Sequence, residues 1–263
     1  MEKQIIGYIP AGGHGMRMKP FRLIKELLPV YVNESSSSNV MLLIENAIQV
    51  LHKGGVRNII CTVNKEKEVL VHTISDCCSD EAEKITFAFV YQENLTKEYG
   101  LPFAIAGAAP FLRGNIVFMK FPDTLVYPRD CFQQLYQFHQ SKKADLTLGV
   151  FPTKNPQRLG PVVVDESGRV VKIEDKPENP SAMNTWNVLI WEDNFLDLVV
   201  KHVSEYRAKQ NDKELVLYDI FLQAIKQNLK VYAYEFENGS CHDISCIEDA
   251  KKIWKGDFFN VCF

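Results

Sequence analysis

Short apolar runs alternate with amphipathic stretches through the first half of the chain. Gln4 to Ile9 is apolar and is closed by Pro10 and a glycine cluster, which predicts a buried strand. Val40, Leu43, Ile44, Ala47, Ile48 and Leu51 recur at helical spacing, and Gly54-Gly55 supplies the stop. Arg57 to Val63 then reads as a strand, Glu66 to Ser75 as a helix and Ile85 to Tyr91 as a strand. Pro102 to Leu112 reads as a small-residue helix that packs closely, and Asn115 to Phe121 as a fourth strand ending at Pro122-Asp123. Asp130 to Ser141 is a helix with Asp130 as its cap, followed by a strand over Asp145 to Phe151. Strand–helix repetition of this kind predicts an α/β fold, a Rossmann-like doubly wound sheet, mixed but mainly parallel.

The second half changes style. Pro161 to Asp165, Ser167-Gly168 and Val170 to Glu174 resemble a hairpin. Thr185 to Trp191 is a strand, Leu215 to Ile225 a helix, Lys230 to Phe236 a strand and Ile247 to Trp254 a closing helix. No linker or internal repeat interrupts the pattern. The Glu34 to Ser38 patch reads as a mobile loop. The expectation is one compact domain over 1–263, with a nucleotide-binding half (1–150) and an acceptor half (151–263) sharing a sheet.

Composition narrows the class. The chain has 263 residues, 46% hydrophobic and 24% charged, as in ordinary globular proteins. A net charge of −3 argues against a nucleic acid as the main partner. The N-terminus lacks the parts of a signal peptide, and no apolar stretch reaches the roughly 18–20 residues of a membrane span. The expected setting is therefore cytoplasmic, with no membrane partner, and the seven cysteines are expected to be reduced thiols. Cys241 and Cys246 around His242 fit no common zinc spacing.

In open parallel sheets ligands bind beyond the carboxyl ends of the strands. After the first strand comes Ala11-Gly12-Gly13-His14-Gly15-Met16-Arg17-Met18-Lys19-Pro20. Three glycines in four positions let the backbone approach an anion, and Arg17, Lys19 and Lys25 add positive charge. Met18 stands where a dinucleotide fingerprint needs its third glycine, and neither a Walker loop nor a Gly-x-Ser-x-Gly elbow is present. A dehydrogenase, a P-loop ATPase and an esterase are accordingly demoted.

Ala11 to Pro20, followed by Lys25-Glu26-Leu27-Leu28-Pro29-Val30, closely resembles the opening signature of the sugar-phosphate nucleotidylyltransferases of the glucose-1-phosphate thymidylyltransferase and uridylyltransferase type. The likeness continues through Tyr99 to Ala104, Phe121 to Thr124, Leu159 to Val163, Glu174 to Pro177 and Asp243 to Asp249. The resemblance implies that Ala11, Gly12, Gly13, Gly15, Gly100 and Phe103 contact the nucleotide. It implies that Arg17 and Lys25 hold its phosphates, and that Lys176 neutralises a sugar phosphate. It further implies that Gly160, Asp175 and Asn187 line the sugar site, and that Asp123 and Asp243 hold Mg2+. The implied substrates are a nucleoside triphosphate and a sugar 1-phosphate, in a protein that can form a homo-oligomer.

The chemistry explains the residue types. A sugar phosphate attacks the α-phosphorus of the triphosphate and pyrophosphate leaves, so positioning and charge neutralisation carry the catalysis. Taken singly, Asp123 after Pro122 could be a turn former, Asp243 a helix cap and Lys176 a solvated charge. Their order along the chain favours the functional assignment. The recognition positions depart from the pattern. Phe103 replaces a base-reading Gln, Asn187 a Gly, Asp175 a Glu, and Ser245-Cys246-Ile247 a Gly-Thr-Pro run. Two alternatives follow. One is a nucleotide or nucleotide-sugar binding regulatory protein with impaired catalysis. The other is a cytidylyltransferase acting on a non-sugar phosphate such as phosphocholine.

Overall fold

From the N-terminal side the chain runs through β1 (Ile5–Pro10), β2 (Pro29–Glu34), β3 (Ser37–Leu42), α1 (Leu43–Lys53), β4 (Asn58–Val63), α2 (Glu68–Cys77), β5 (Thr86–Tyr91), α3 (Leu101–Leu112), β6 (Ile116–Met119), β7 (Thr124–Tyr127), α4 (Cys131–Lys142) and β8 (Leu146–Pro152). It continues through β9 (Val162–Val164), β10 (Val170–Ile173), β11 (Asn184–Trp191), α5 (Asp193–Ala208), α6 (Leu217–Lys226), β12 (Val231–Glu235), β13 (Ser240–Asp243) and α7 (Ile247–Trp254). This computed structural model describes residues 3–15, 18, 24–34, 37–77, 85–92, 100–209 and 214–254.

A seven-stranded sheet in the order β12-β8-β11-β6-β1-β4-β5 organises the molecule. Parallel pairing joins β6, β1, β4 and β5, and also β8 and β12. Only β11 runs against both its neighbours, β6 and β8. The sheet is thus mixed and mainly parallel, with helices on both faces. Strand alternation sends Ile6 and Tyr8, Val117 and Met119, and Leu189 and Trp191 into one apolar cluster with α3, α5 and α6. The intervening Ile9, Phe118, Val188 and Ile190 enter a second cluster with α1, α2 and α4. Near-continuous apolar sequence in β1 and β6 is what burial on both faces requires. A third cluster, including Met18, Leu28, Val30, Met41 and Ile244, fills the space beneath the β2–β3 hairpin.

Several elements differ from the sequence expectation. Val40 belongs to β3 and is 58% exposed, because the chain enters α1 only after Leu42. Ser37 and Ser38 pair with Glu34 and Asn33, so most of the serine patch is strand; 35–36 lie outside the described residues. The spacing left 193–208 unassigned, yet Phe195, Leu196, Val199 and Val203 of α5 are buried at helical intervals. Asp130 stands at the start of α4 but makes no side-chain cap bond, since its backbone is not in the extended form that aims a cap. Strands β7 and β13, four residues each, carry too short a pattern to be seen.

Candidate active site

The carboxyl ends of β1, β4 and β6 bring the chemistry-bearing segments together. Beyond β1, the Ala11 N–H donates to Thr62 O at 2.8 Å. Asn64, just past β4, donates its Nδ2 to Gly12 O at 2.7 Å. The Lys67 ammonium donates to Ala11 O at 2.8 Å and to Glu26 Oε1 at 2.7 Å. These contacts set the start of the glycine loop on a buried base. Among the described residues, a methyl group on Gly13 or Gly15 would meet no atom within 4 Å. Gly15 has φ +61°, a left-handed conformation that glycine adopts without strain. Arg17 lies outside the described residues.

The Glu26–Lys67 pair is nearly inaccessible, and it joins three segments: the glycine loop, the Lys25–Leu27 turn and the turn after β4. Removing one partner of a buried pair leaves an uncompensated charge, at a cost of about 3–5 kcal/mol. Lys67→Met should lower stability by about that amount, and Glu26→Gln added to it should restore part of the loss. Thermal denaturation of the two variants checks this; a Lys67→Met protein as stable as the parent contradicts it.

The Lys25 ammonium is hydrogen-bonded to Asp123 Oδ2, with both side chains largely shielded from water. Burial pushes the Lys25 pKa down, but the carboxylates of Asp123, Glu26 and Asp243 together outweigh it, so the group holds its proton above the ordinary value. Asp123 and Asp243 lie 120 positions apart in sequence. The antiparallel β7–β13 pair brings them together: Asp243 stands opposite Thr124, and the Ile244 N–H donates to Asp123 O at 2.9 Å. The structure thus gathers Lys25, Asp123 and Asp243.

Magnesium takes oxygen ligands and is usually held by one or two carboxylates, with phosphate and water completing the shell. Two carboxylates at one end of the paired strands, Asp243 closing β13 and Asp123 just before β7, fit that demand. Among the described residues no group of three or more His, Cys, Asp or Glu side chains could hold a metal by itself.

The acceptor-side residues connect through Trp186. Gly160 packs so closely on it that a Cβ at 160 would lie 2.4 Å from the indole Nε1. The Trp186 ring also meets Phe121, next to the Asp123 turn, at 6.0 Å between centroids. Asn187 sits at a break in register between Trp186 and Val188, where a bulge re-aims a side chain. It is 6% exposed, and its Oδ1 accepts from Thr124 Oγ1 at 3.1 Å. Lys176 and Asp175 are exposed on the turn after β10. The Lys176 N–H donates to Leu159 O at 2.8 Å and its φ is +47°. No ion pair joins Lys176 to Asp123 or Asp243 among the described residues.

Gly100 and Phe103 have structural partners. Gly100 has φ +127°, and a Cβ there would come within 2.0 Å of Leu215 O, so the position admits no side chain. Phe103 is 4% exposed and meets Tyr206 edge-on at 5.7 Å, with the Arg207 guanidinium 5.6 Å from the ring centre. The structure therefore places Phe103 in the packing between α3 and α5, where little of its ring is left to stack on a base.

Sequence reasoning passed over Lys67, Glu26, Thr124 and Lys120. For Lys120 a signal existed, since it is the one charge within the Ile116–Phe121 run.

The wound sheet thus carries a glycine loop, a shielded lysine and two aspartates at its carboxyl edge, the place where open α/β sheets bind ligands. The chain belongs to the nucleotidyl transferase family, whose model matches residues 6–254. Over 178 residues it is 28% identical to a glucose-1-phosphate thymidylyltransferase of Neisseria meningitidis, covering 67% of this chain and 57% of that protein. Over 183 residues it is 25% identical to mannose-1-phosphate guanylyltransferase 1 of Arabidopsis thaliana, covering 65% of this chain and 45% of that one. The matched region thus spans about half the length of these relatives. In fold it is similar to a UDP-glucose pyrophosphorylase crystallised with UDP-glucose, with a TM-score of 0.75, 18% identity and coverage of 99% and 100% of the two chains. Among the described residues no helix is long and apolar enough to cross a membrane.

Proposed function

We propose that this chain transfers a nucleoside monophosphate from a nucleoside triphosphate to a sugar 1-phosphate, yielding a nucleoside-diphosphate sugar and pyrophosphate. The observation that carries this reading is the convergence of Lys25, Asp123 and Asp243 beside the glycine loop, in a chain of the nucleotidyl transferase family. An oxygen of the sugar phosphate forms a bond to the α-phosphorus. The bond from that phosphorus to the bridging oxygen breaks, and pyrophosphate takes the electron pair.

The loop from Ala11 to Gly15 would receive the triphosphate on its backbone. Lys25 would neutralise charge on the departing pyrophosphate, assisted by Arg17. Lys176 would do the same for the incoming sugar phosphate, beside Gly160, Asp175 and Asn187. Asp123 and Asp243 would hold Mg2+, which when bound neutralises phosphate charge and fixes the geometry of attack. The intact Lys25–Asp123–Asp243 set supports turnover over binding alone, so the regulatory alternative is not carried forward.

The test is pyrophosphate release under magnesium with a panel of nucleoside triphosphates and sugar 1-phosphates. Release with at least one pair is the expected result. Failure of every pair, together with tight nucleotide binding by calorimetry, would overturn the proposal.

A further inference from the structure

Lys120 follows β6 directly and is wholly buried, an unusual place for an ammonium group. A Met of similar length would fill the space without the desolvation cost of a charge. Packing alone therefore does not account for the lysine. Its ammonium donates to Phe121 O at 2.9 Å, to Thr124 O at 2.7 Å and to Thr124 Oγ1 at 2.7 Å. These acceptors bracket Asp123 in sequence, so one buried cation ties both ends of the turn that carries the carboxylate.

The network reaches further. An ammonium cannot accept a hydrogen bond, so Thr124 Oγ1 must accept from Lys120 and send its own hydrogen elsewhere. The nearer acceptor is Asn187 Oδ1 at 3.1 Å, against Phe121 O at 3.4 Å. That choice fixes which end of the Asn187 amide faces Thr124. Burial lowers the Lys120 pKa to about 8, while Cys241, Cys131, Asp123 and Asp243 act to hold it up, so the group is charged near neutrality.

We infer that Lys120 is a positioning residue, which locks the Phe121–Thr124 turn so that Asp123 stays beside Asp243 and Asn187 keeps one amide orientation. Its effect on catalysis rests on the reaction proposed above; its effect on the turn does not.

The experiment compares the full chain with Lys120→Met and Lys120→Gln. Amide hydrogen exchange is measured without ligand, and steady-state kinetics with the best substrate pair. In Lys120→Met the amides of 121–127 should exchange at least about tenfold faster, with β1 and β4 unchanged. The kcat should fall about 10–100-fold, as when a group orienting a metal ligand is lost, with the triphosphate KM within about threefold. Lys120→Gln keeps hydrogen-bond donors and should recover part of both. Unchanged exchange in the turn overturns the inference, as does wild-type kcat in a folded Lys120→Met protein. Should the Met variant fail to fold, the Gln variant decides by the same readout. Should the parent turn over no substrate pair, the reaction assignment fails, and the exchange data alone decide the role of Lys120.

Discussion

Asp123→Asn should lower pyrophosphate release by about 10³-fold, and Asp243→Asn should do the same. Both proteins should keep the parent's circular dichroism, with Asp243→Asn melting within a few degrees of the parent and Asp123→Asn melting earlier, because Lys25 loses its partner. The size follows from what each carboxylate would hold. A divalent cation at a reacting phosphate contributes several kcal/mol of charge stabilisation, and each 1.36 kcal/mol is tenfold in rate. The two effects are expected to be non-additive, because two ligands of one ion act as a unit. The double variant should therefore be little worse than either single one. Asp243 is exposed and Asp123 sits at the rim of a turn, so neither amide substitution opens a cavity in the core. A variant that keeps parental turnover under saturating magnesium removes that aspartate from the metal site.

Lys25→Met is the second large effect. Turnover should fall by about 10²–10³-fold, as when a preorganised charge-stabilising donor is removed. Here a stability change accompanies it. The Lys25 side chain is hydrogen-bonded to Asp123, with Asp243 close enough to support its charge. Its removal leaves the shielded Asp123 carboxylate without its cation and near the charge of Asp243, so Lys25→Met alone should melt earlier than the parent. Adding Asp123→Asn relieves that repulsion, and the double variant should melt higher than Lys25→Met. Thermal denaturation of the four proteins closes the cycle. A strictly additive result would mean that the contact carries no energy.

Most of the sheet was legible because its central strands are apolar runs bounded by glycine and proline, and such runs are what burial on both faces selects. The opening signature, from Ala11 through Val30, singles out Lys25, and the structure sets that lysine against Asp123. What escaped notice was long-range pairing. Nothing local to Ser240–Asp243 announces that these residues lie against Thr124–Tyr127, since four residues give no usable period. A charge within polar company is equally silent. Lys67 stands among Lys65, Glu66 and Glu68, where nothing local sets it apart, yet it is 5% exposed beneath the glycine loop. Phe103 occupies a position where the signature has a polar reader, and its inward helical face sent it to Tyr206 and α5. Hydrophobic pattern shows which side chains leave water; it does not show which distant segment they meet.

The placement of β11 between β6 and β8 bears on how the polypeptide is made. A ribosome releases β1, β4, β5 and β6 in time to zip together, but β8 has no seat until residue 191 has emerged, because its inner neighbour comes later in the message. Until then β6 and β8 both present bare edges of the sort that recruit other chains. A cut between β8 and β11 would part neighbouring strands of one sheet, so the two fragments are expected to fold only when produced together.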